Sequence, residues 1–343
     1  MSMARPLEGV RVVEIEALGP VPFCGMMLAD LGAEIIQVGR PGKPQLFALP
    51  RARDPVQRGR VRVELDLKDA AGRAALMPYL AQADILIEGF RPGVMERLGL
   101  GPEVLRAAYP RLVYGRITGF GQSGPLAARA GHDLTYLALS GALHAMGRAG
   151  ERPVPPLNLV ADYGGGAMLL AVGLLAALVG RGVSGQGCVV DAAMIDGASL
   201  LMTPCYALLA QGLWEDRRGV NLLDGGAPFY DTYETADGRY VAVAALEKQF
   251  FAELLAILGI GAEWGVRQYD RAAWPALRAA LERVFLGQSR DHWEAVFAGS
   301  DACVAPVLSM AEAVVHAHNR ARLVHVRDGA MMRPAAAPRF SMG

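Results

Sequence analysis

Two short segments of the chain carry residue types that can move protons. The first, Gly131-His132-Asp133-Leu134-Thr135-Tyr136, sets an imidazole beside a carboxylate where a helical pattern begins. The second, Asn158-Leu159-Val160-Ala161-Asp162-Tyr163, runs into Gly164-Gly165-Gly166 and a long apolar stretch that reads as a helix starting near Gly164. Asp is also an ordinary N-cap, accepting bonds from the first N–H groups of a helix. Taken singly, capping by Asp133 and by Asp162, with His132 merely packed, is the simpler reading. Taken together the segments suggest a reaction. Removing a weakly acidic proton beside a thioester carbonyl needs a positioned base, and inverting that carbon needs an acid on its other face; one imidazole and one carboxylate can serve as either. Free N–H groups at the helix start by Asp162 would hold the oxyanion, and the glycines would let a ligand approach the backbone.

Other chemistries leave no comparable trace. Gly119-Phe120-Gly121-Gln122-Ser123-Gly124 matches the dinucleotide fingerprint in form. It follows the last strand of a series and runs into Pro125, whereas the fingerprint follows the first strand and opens a helix. There is no P-loop, no G-x-S-x-G elbow and no H-E-x-x-H. His316-Ala317-His318 has no acid or thiol beside it and reads as a solvated helix face, so no metal is expected. Cys24, Cys188, Cys205 and Cys303 are far apart and read as reduced thiols of a cytoplasmic protein. Lys+Arg and Asp+Glu both number 34, which argues against a nucleic-acid partner. Mean hydropathy is +0.24, yet the most apolar stretch, Ala167 to Val179, has about a dozen residues, short of the roughly 20 that span a bilayer. No secretory signal is visible in Met1 to Pro6, and Phe340-Ser341-Met342-Gly343 is no sorting address.

The elements that must position these residues come in two textures. Strand-like runs at Gly9 to Ile15, Glu34 to Val38, Val61 to Leu67, Asp84 to Ile87 and Leu112 to Ile117 alternate with helical patterns at Pro22 to Leu31, Ala70 to Gln82, Val94 to Leu98 and Glu103 to Ala108. Such alternation predicts a Rossmann-like parallel sheet covered on both faces. Beyond an apolar helix at about Asp196 to Gln211, the Gly/Asn/Asp-rich run Arg217 to Gly226 reads as a linker. Phe229 to Glu234 and Arg239 to Ala244 flank a hairpin turn. Helical patterns then follow at Glu247 to Leu258, Ala272 to Phe285 and Asp291 to Phe297. The expected organisation is a large α/β domain over 1–196, a linker helix and loop over 197–226, a small α+β domain over 227–328 and a return segment over 329–343.

At these residues the chain resembles the α-methylacyl-CoA racemases of the family III CoA-transferase superfamily. The resemblance covers nearly the whole length. It includes Pro6 to Glu14, Ala29 to Glu34, Gly89-Phe90-Arg91-Pro92-Gly93-Val94, both segments above, Leu223 to Tyr233 and Ala245 to Phe250. It implies racemisation of 2-methylacyl-CoA esters in fatty-acid metabolism, with CoA as part of the substrate and no cofactor. It further implies His132 and Asp162 as the two acid/bases, with Glu247 orienting His132 and with Asp133, Asn158 and Tyr230 supporting the site. Arg40, Lys68, Arg91 and Arg97 fall where the family binds the CoA nucleotide, with Leu67, Gly89, Gly131, Asp133 and Tyr136 nearby; cations suit phosphates. The family's interlocked homodimer, its sites lying between subunits, is expected here too. This sequence departs from its relatives in 41–60 and in stopping soon after Pro338-Arg339-Phe340-Ser341, so the return segment is expected to be shortened. Two alternatives stand beside this reading. One is a family III CoA-transferase carrying the acyl group on Asp162; its usual independence of an imidazole and its glycine-rich small-domain loop do not match this chain. The other is a non-catalytic acyl-CoA binder. Met26, Met27, Met194 and Met202 are candidates for a tolerant acyl surface, although most suit core packing.

Overall fold

The computed structural model describes residues 5–42 and 53–341; half of the individual stretch 41–60, residues 43–52, thus lies outside the described residues. The chain forms two compact units, Met1–Leu143 with Pro156–Thr203 and Arg333–Gly343, and His144–Pro155 with Pro204–Met332.

In the first unit β1 (Arg11–Ile15), β2 (Glu34–Gly39), β3 (Arg60–Glu64), β4 (Ile85–Glu88), β5 (Val113–Thr118) and β6 (Val189–Ala193) form one sheet ordered β3-β2-β1-β4-β5-β6. Every pairing is parallel. The order reverses at β1 and β4. In open parallel sheets, ligands bind at that switch point, beyond the carboxyl ends of the strands. The β6 strand is absent from the sequence-based expectation because Val-Val-Asp-Ala-Ala follows Gly185-Gln186-Gly187, and it forms an edge buried only at Ala193.

Strand β1 carries a carboxylate into the interior. Glu14 is 0% exposed, and Arg60 of β3 meets it in a two-pronged pair at 2.9 and 2.8 Å. Gln37 of β2 donates to the same carboxylate at 2.6 Å. Arg60 also donates to the carbonyls of Val56 and Pro22, the latter in the first turn of helix Pro20–Asp30. A Cβ at Gly25 of that helix would lie 1.8 Å from Glu14 Oε2, so only glycine lets the helix sit over the pair.

The apolar helix differs from expectation. It begins at Leu159, not near Gly164, as a π-helix over Leu159–Met168 that continues as an α-helix over Leu169–Ser184. Including the glycine run gives 26 residues, long and apolar enough to cross a membrane by length and composition. In this fold Leu170 and Leu174 are buried, both against Gly115 of β5. The glycine run serves packing: a Cβ at Gly165 would meet the Ala198 nitrogen at 2.6 Å, and one at Gly197 would meet the Gly165 carbonyl oxygen at 1.8 Å. At Gly165 the backbone admitted is that of helix Met194–Leu201.

In the second unit β7 (Tyr230–Glu234), β8 (Tyr240–Ala244) and β9 (Val304–Pro306) form an antiparallel sheet, the hairpin turning through Gly238 at φ 71°. Helices Lys248–Leu258, Trp274–Phe285 and Arg290–Phe297 bury Phe251, Leu277, Phe285 and Phe297 in one cluster with Phe229 and Tyr233. The run 217–226, read from its composition as a linker, is an ordered loop within this unit. Asp224 accepts from the N–H groups of Gly219, Asn221 and Gly226, and Asn221 is wholly buried.

Removing one partner of a buried ion pair leaves an uncompensated charge, at a cost of about 3–5 kcal/mol. Arg60→Met should therefore lower the unfolding free energy by about that amount in urea titrations. The double variant Glu14→Met/Arg60→Met should recover a large part of the loss.

Candidate active site

A cavity of about 460 Å³ opens in the first unit at the strand reversal. Its walls come from four places. Leu18 to Val21 follow β1, and Gly89 to Pro92 follow β4. Thr118 ends β5 and Gly119 and Phe120 follow it, and the fourth wall joins Gly131, His132 and Tyr136 with Asn158, Asp162 and Tyr163. The two segments singled out by their chemistry, 22 residues apart at their nearest named members, Tyr136 and Asn158, thus face one space.

His132 is the N-cap of helix Asp133–Ser140, with extended backbone at φ −138°. Thr135 locks it from both sides: the His132 N–H donates to Thr135 Oγ1 at 3.0 Å, and that hydroxyl donates to the His132 carbonyl at 2.7 Å. Tyr136, one turn on, packs edge-to-face on Phe120, with centroids 4.9 Å apart. A Cβ at Gly119 would come within 2.1 Å of its ring and one at Gly131 within 2.5 Å. Those glycines therefore make room for a tyrosine. No helix opens after Gly119, and that distinguishes the run from a dinucleotide loop.

Asp162 lies in the first turn of the π-helix, half-buried. Burial pushes its carboxyl up from the ordinary value; Asp133 adds to the rise, while a 3.4 Å hydrogen bond from Asn158 and the neighbouring His132 oppose it. Tyr136 is pushed up to about 12 by burial and then by Asp162. A carboxylate raised in this way is suited to exchange protons in both directions.

Asp133 corrects two expectations. Its side chain neither caps its own helix nor lines the cavity. It is 5% exposed, and its Oδ2 accepts from the backbone N–H groups of Ala161 at 2.9 Å and Asp162 at 2.7 Å. Those donors, expected to hold an oxyanion, are therefore already engaged.

The expected CoA-binding residues divide between hollows. Gly89, Arg91, Gly131 and Tyr136 line the main cavity. Arg40, Leu67 and Lys68 line a second one of about 320 Å³ beyond β1, β2 and β3, where Phe90 contributes to both. Arg97 lines neither; it borders an adjoining hollow with Arg73. Glu247 and Tyr230 belong to the other unit, Glu247 exposed as the N-cap of helix Lys248–Leu258 and Tyr230 opening β7. The sequence reading missed Gly19, Pro20 and Val21, and Tyr163, which stacks on Phe23 at 4.5 Å. The signal for the first three was available: they follow the carboxyl end of the first strand, where the sheet reverses. Among the described residues no cluster of His, Cys, Asp or Glu could hold a metal, and His316 instead pairs with Glu294 at 2.9 Å.

A Rossmann-type sheet with an imidazole and a raised carboxylate at its switch point defines an α/β protein built to handle a ligand by proton transfer. Residues 7–342 match the family described as CoA-transferase family III, and the chain belongs to that family. It is 47% identical to the alpha-methylacyl-CoA racemase of Mus musculus, over 98% of this chain and 86% of that protein. It is 45% identical to the alpha-methylacyl-CoA racemase of Homo sapiens, over 92% and 81% respectively. Among solved structures, Rv3272 from M. tuberculosis superposes with a TM-score of 0.82 at 26% identity, covering 99% of this chain and 94% of that one.

The raised carboxyl of Asp162 has a consequence for stability. A group whose folded value lies above its unfolded value of about 3.8 costs nothing below that value and becomes a burden as pH rises through the folded one. Asp162→Asn should therefore raise the urea midpoint at neutral pH, and the gain should shrink as pH falls toward 4. An equal midpoint for variant and wild type at neutral pH would show that the buried charge carries no cost.

Proposed function

We propose that this protein is an α-methylacyl-CoA racemase, inverting the α-carbon of 2-methylacyl-CoA thioesters with no cofactor. The observation that carries the reading is the placement of His132 and Asp162 on the wall of one cavity, in a chain whose relatives at 45–47% identity bear that name. One of the two residues takes the α-proton, leaving an enolate. The other returns a proton to the opposite face, and the reverse turn exchanges their roles, so protons balance without an outside reagent. Helix Pro20–Asp30 ends at the cavity, but Pro20 and Pro22 remove two of its first three donors. The smaller cavity, with Arg40 and Lys68, takes the nucleotide end of CoA, and Arg91 serves the substrate from the main cavity.

We propose further that the working form is a homodimer in which Glu247 of one subunit orients His132 of the other. An exposed apolar stripe supports association: Met168, Val172, Val179 and Val183 recur at helical spacing on the long helix, Val183 being 91% exposed.

One enantiomer of a 2-methylacyl-CoA, incubated in deuterated water, should racemise with deuterium entering the α-carbon. Stereochemically inert substrate with CoA exchange onto a free acid would establish the transferase reading, with Asp162 as nucleophile. His132→Ala and Asp162→Ala should each reduce inversion about 10²- to 10⁴-fold; near wild-type racemisation by either removes that residue from the chemistry.

Co-expression tests the subunit assignment. A heterodimer of His132→Ala and Glu247→Ala chains, isolated with two tags, should regain roughly half the wild-type activity, because one site collects both defects and the other has none. No recovery above the mutant homodimers would place Glu247 in its own chain's site. The comparison requires Glu247→Ala alone to be clearly impaired; a fully active single variant would exclude it from the mechanism.

A further inference from the structure

We infer that Asp133 is a positioning residue whose buried carboxylate ties the backbone beneath Asp162 to the helix start that carries His132, and fixes a second negative charge beside Asp162. The inference rests on the racemase reading and deepens it. Asp133 immediately follows His132, whose φ and ψ are already held by Thr135. An aspartate in a first helical turn ordinarily serves its own helix. This one reaches 28 and 29 residues along the chain to the N–H groups of Ala161 and Asp162. The backbone nitrogen of one proposed acid/base is thereby held by the residue adjoining the other. The span across the reacting carbon is set by two short hydrogen bonds and one peptide unit rather than by side-chain packing.

Both bonds converge on Oδ2, while Oδ1 is buried with no hydrogen-bond partner. A tether alone would need only one neutral oxygen, which an asparagine supplies. The unpartnered oxygen is therefore the informative atom, since burying a carboxylate that is not fully bonded is costly and the tether does not require it. Its field falls on Asp162, and Asp133 is among the groups that raise the Asp162 carboxyl. The other titratable and charged groups around Asp162 are His132 and Tyr136 on the facing helix and its cap, with Arg91 and Arg129 on the same cavity wall, and Asn158 on its own element donates to it.

Two variants separate tether from charge. Asp133→Asn keeps an oxygen for both N–H groups and removes the charge; Asp133→Ala removes both. With 2-methylacyl-CoA as substrate, Asp133→Ala should lose kcat on the order of 10²-fold through misplacement, with KM changed far less. Amide exchange in the peptide spanning 158–163 should quicken in Asp133→Ala and stay protected in Asp133→Asn. Asp133→Asn should lose far less kcat than Asp133→Ala, while the acid limb of kcat/KM, which reports the free enzyme, moves to lower pH. An acid limb unchanged in Asp133→Asn would overturn the electrostatic role. Wild-type kcat in Asp133→Ala, or wild-type protection of the 158–163 amides, would overturn the tether. If Asp133→Ala does not fold, Asp133→Asn decides by its exchange and its pH profile. If the wild-type protein fails to invert substrate, the racemase reading falls, and the exchange measurement alone still decides the tether.

Discussion

The buried pair between Glu14 and Arg60 fixes the geometry on which the cavity depends. It joins β1, β2 through Gln37, β3, and the first turn of helix Pro20–Asp30 through the Pro22 carbonyl. That first turn, with Gly19 just before it, forms one wall of the main cavity. A hydrophobic substitute could fill the volume, but a two-pronged pair also dictates direction and register. Gly25 completes the constraint, since any side chain there would displace the carboxylate. The wall is thus set by charge geometry laid down in three strands before the ligand-facing loops begin.

A second fixed relation stands across the cavity. The long helix packs so closely on helix Met194–Leu201 that Gly165 and Gly197 exclude each other's side chains, and its first turns widen into a π-helix. A π-helix leaves more N–H groups at its start without an internal partner than an α-helix does. Two of these are met by Asp133. The local irregularity at Asp162 and the unusual reach of Asp133 are therefore one feature: a distorted helix start needs an external acceptor, and the acceptor is the residue next to His132.

Much of this was legible in the sequence, and the remainder fails for physical reasons. The alternation of β-rich and amphipathic runs revealed β1 to β5, because buried parallel strands are dense in Val, Ile and Leu. It could not reveal β6, an edge strand with Asp191 at its centre, or β9, only three residues long. His132 and Asp162 stood out by type and by the helix starts they adjoin. The side chain of Asp133 misled, because capping is local and legible while a bond across 29 residues is not. Gly165 is similar: sequence shows that a close approach occurs, not what approaches. Arg40, Lys68 and Arg91 were legible only through family resemblance, since isolated cations carry no pattern of their own.

The family includes proteins that carry acyl groups and proteins that shift protons, and a carboxylate at Asp162 would serve either chemistry. What separates them is the demand each makes on its surroundings. A nucleophilic carboxylate must be anionic and free to reach the thioester carbon, so burial that raises its proton affinity works against it. A carboxylate that must both take and return a proton gains from the same burial, because its affinity moves toward that of the imidazole it works with. Burial and then Asp133 push Asp162 in the second direction, and His132 shares its cavity. The surroundings of one side chain thus favour proton transfer over acyl transfer on a scaffold that accommodates both.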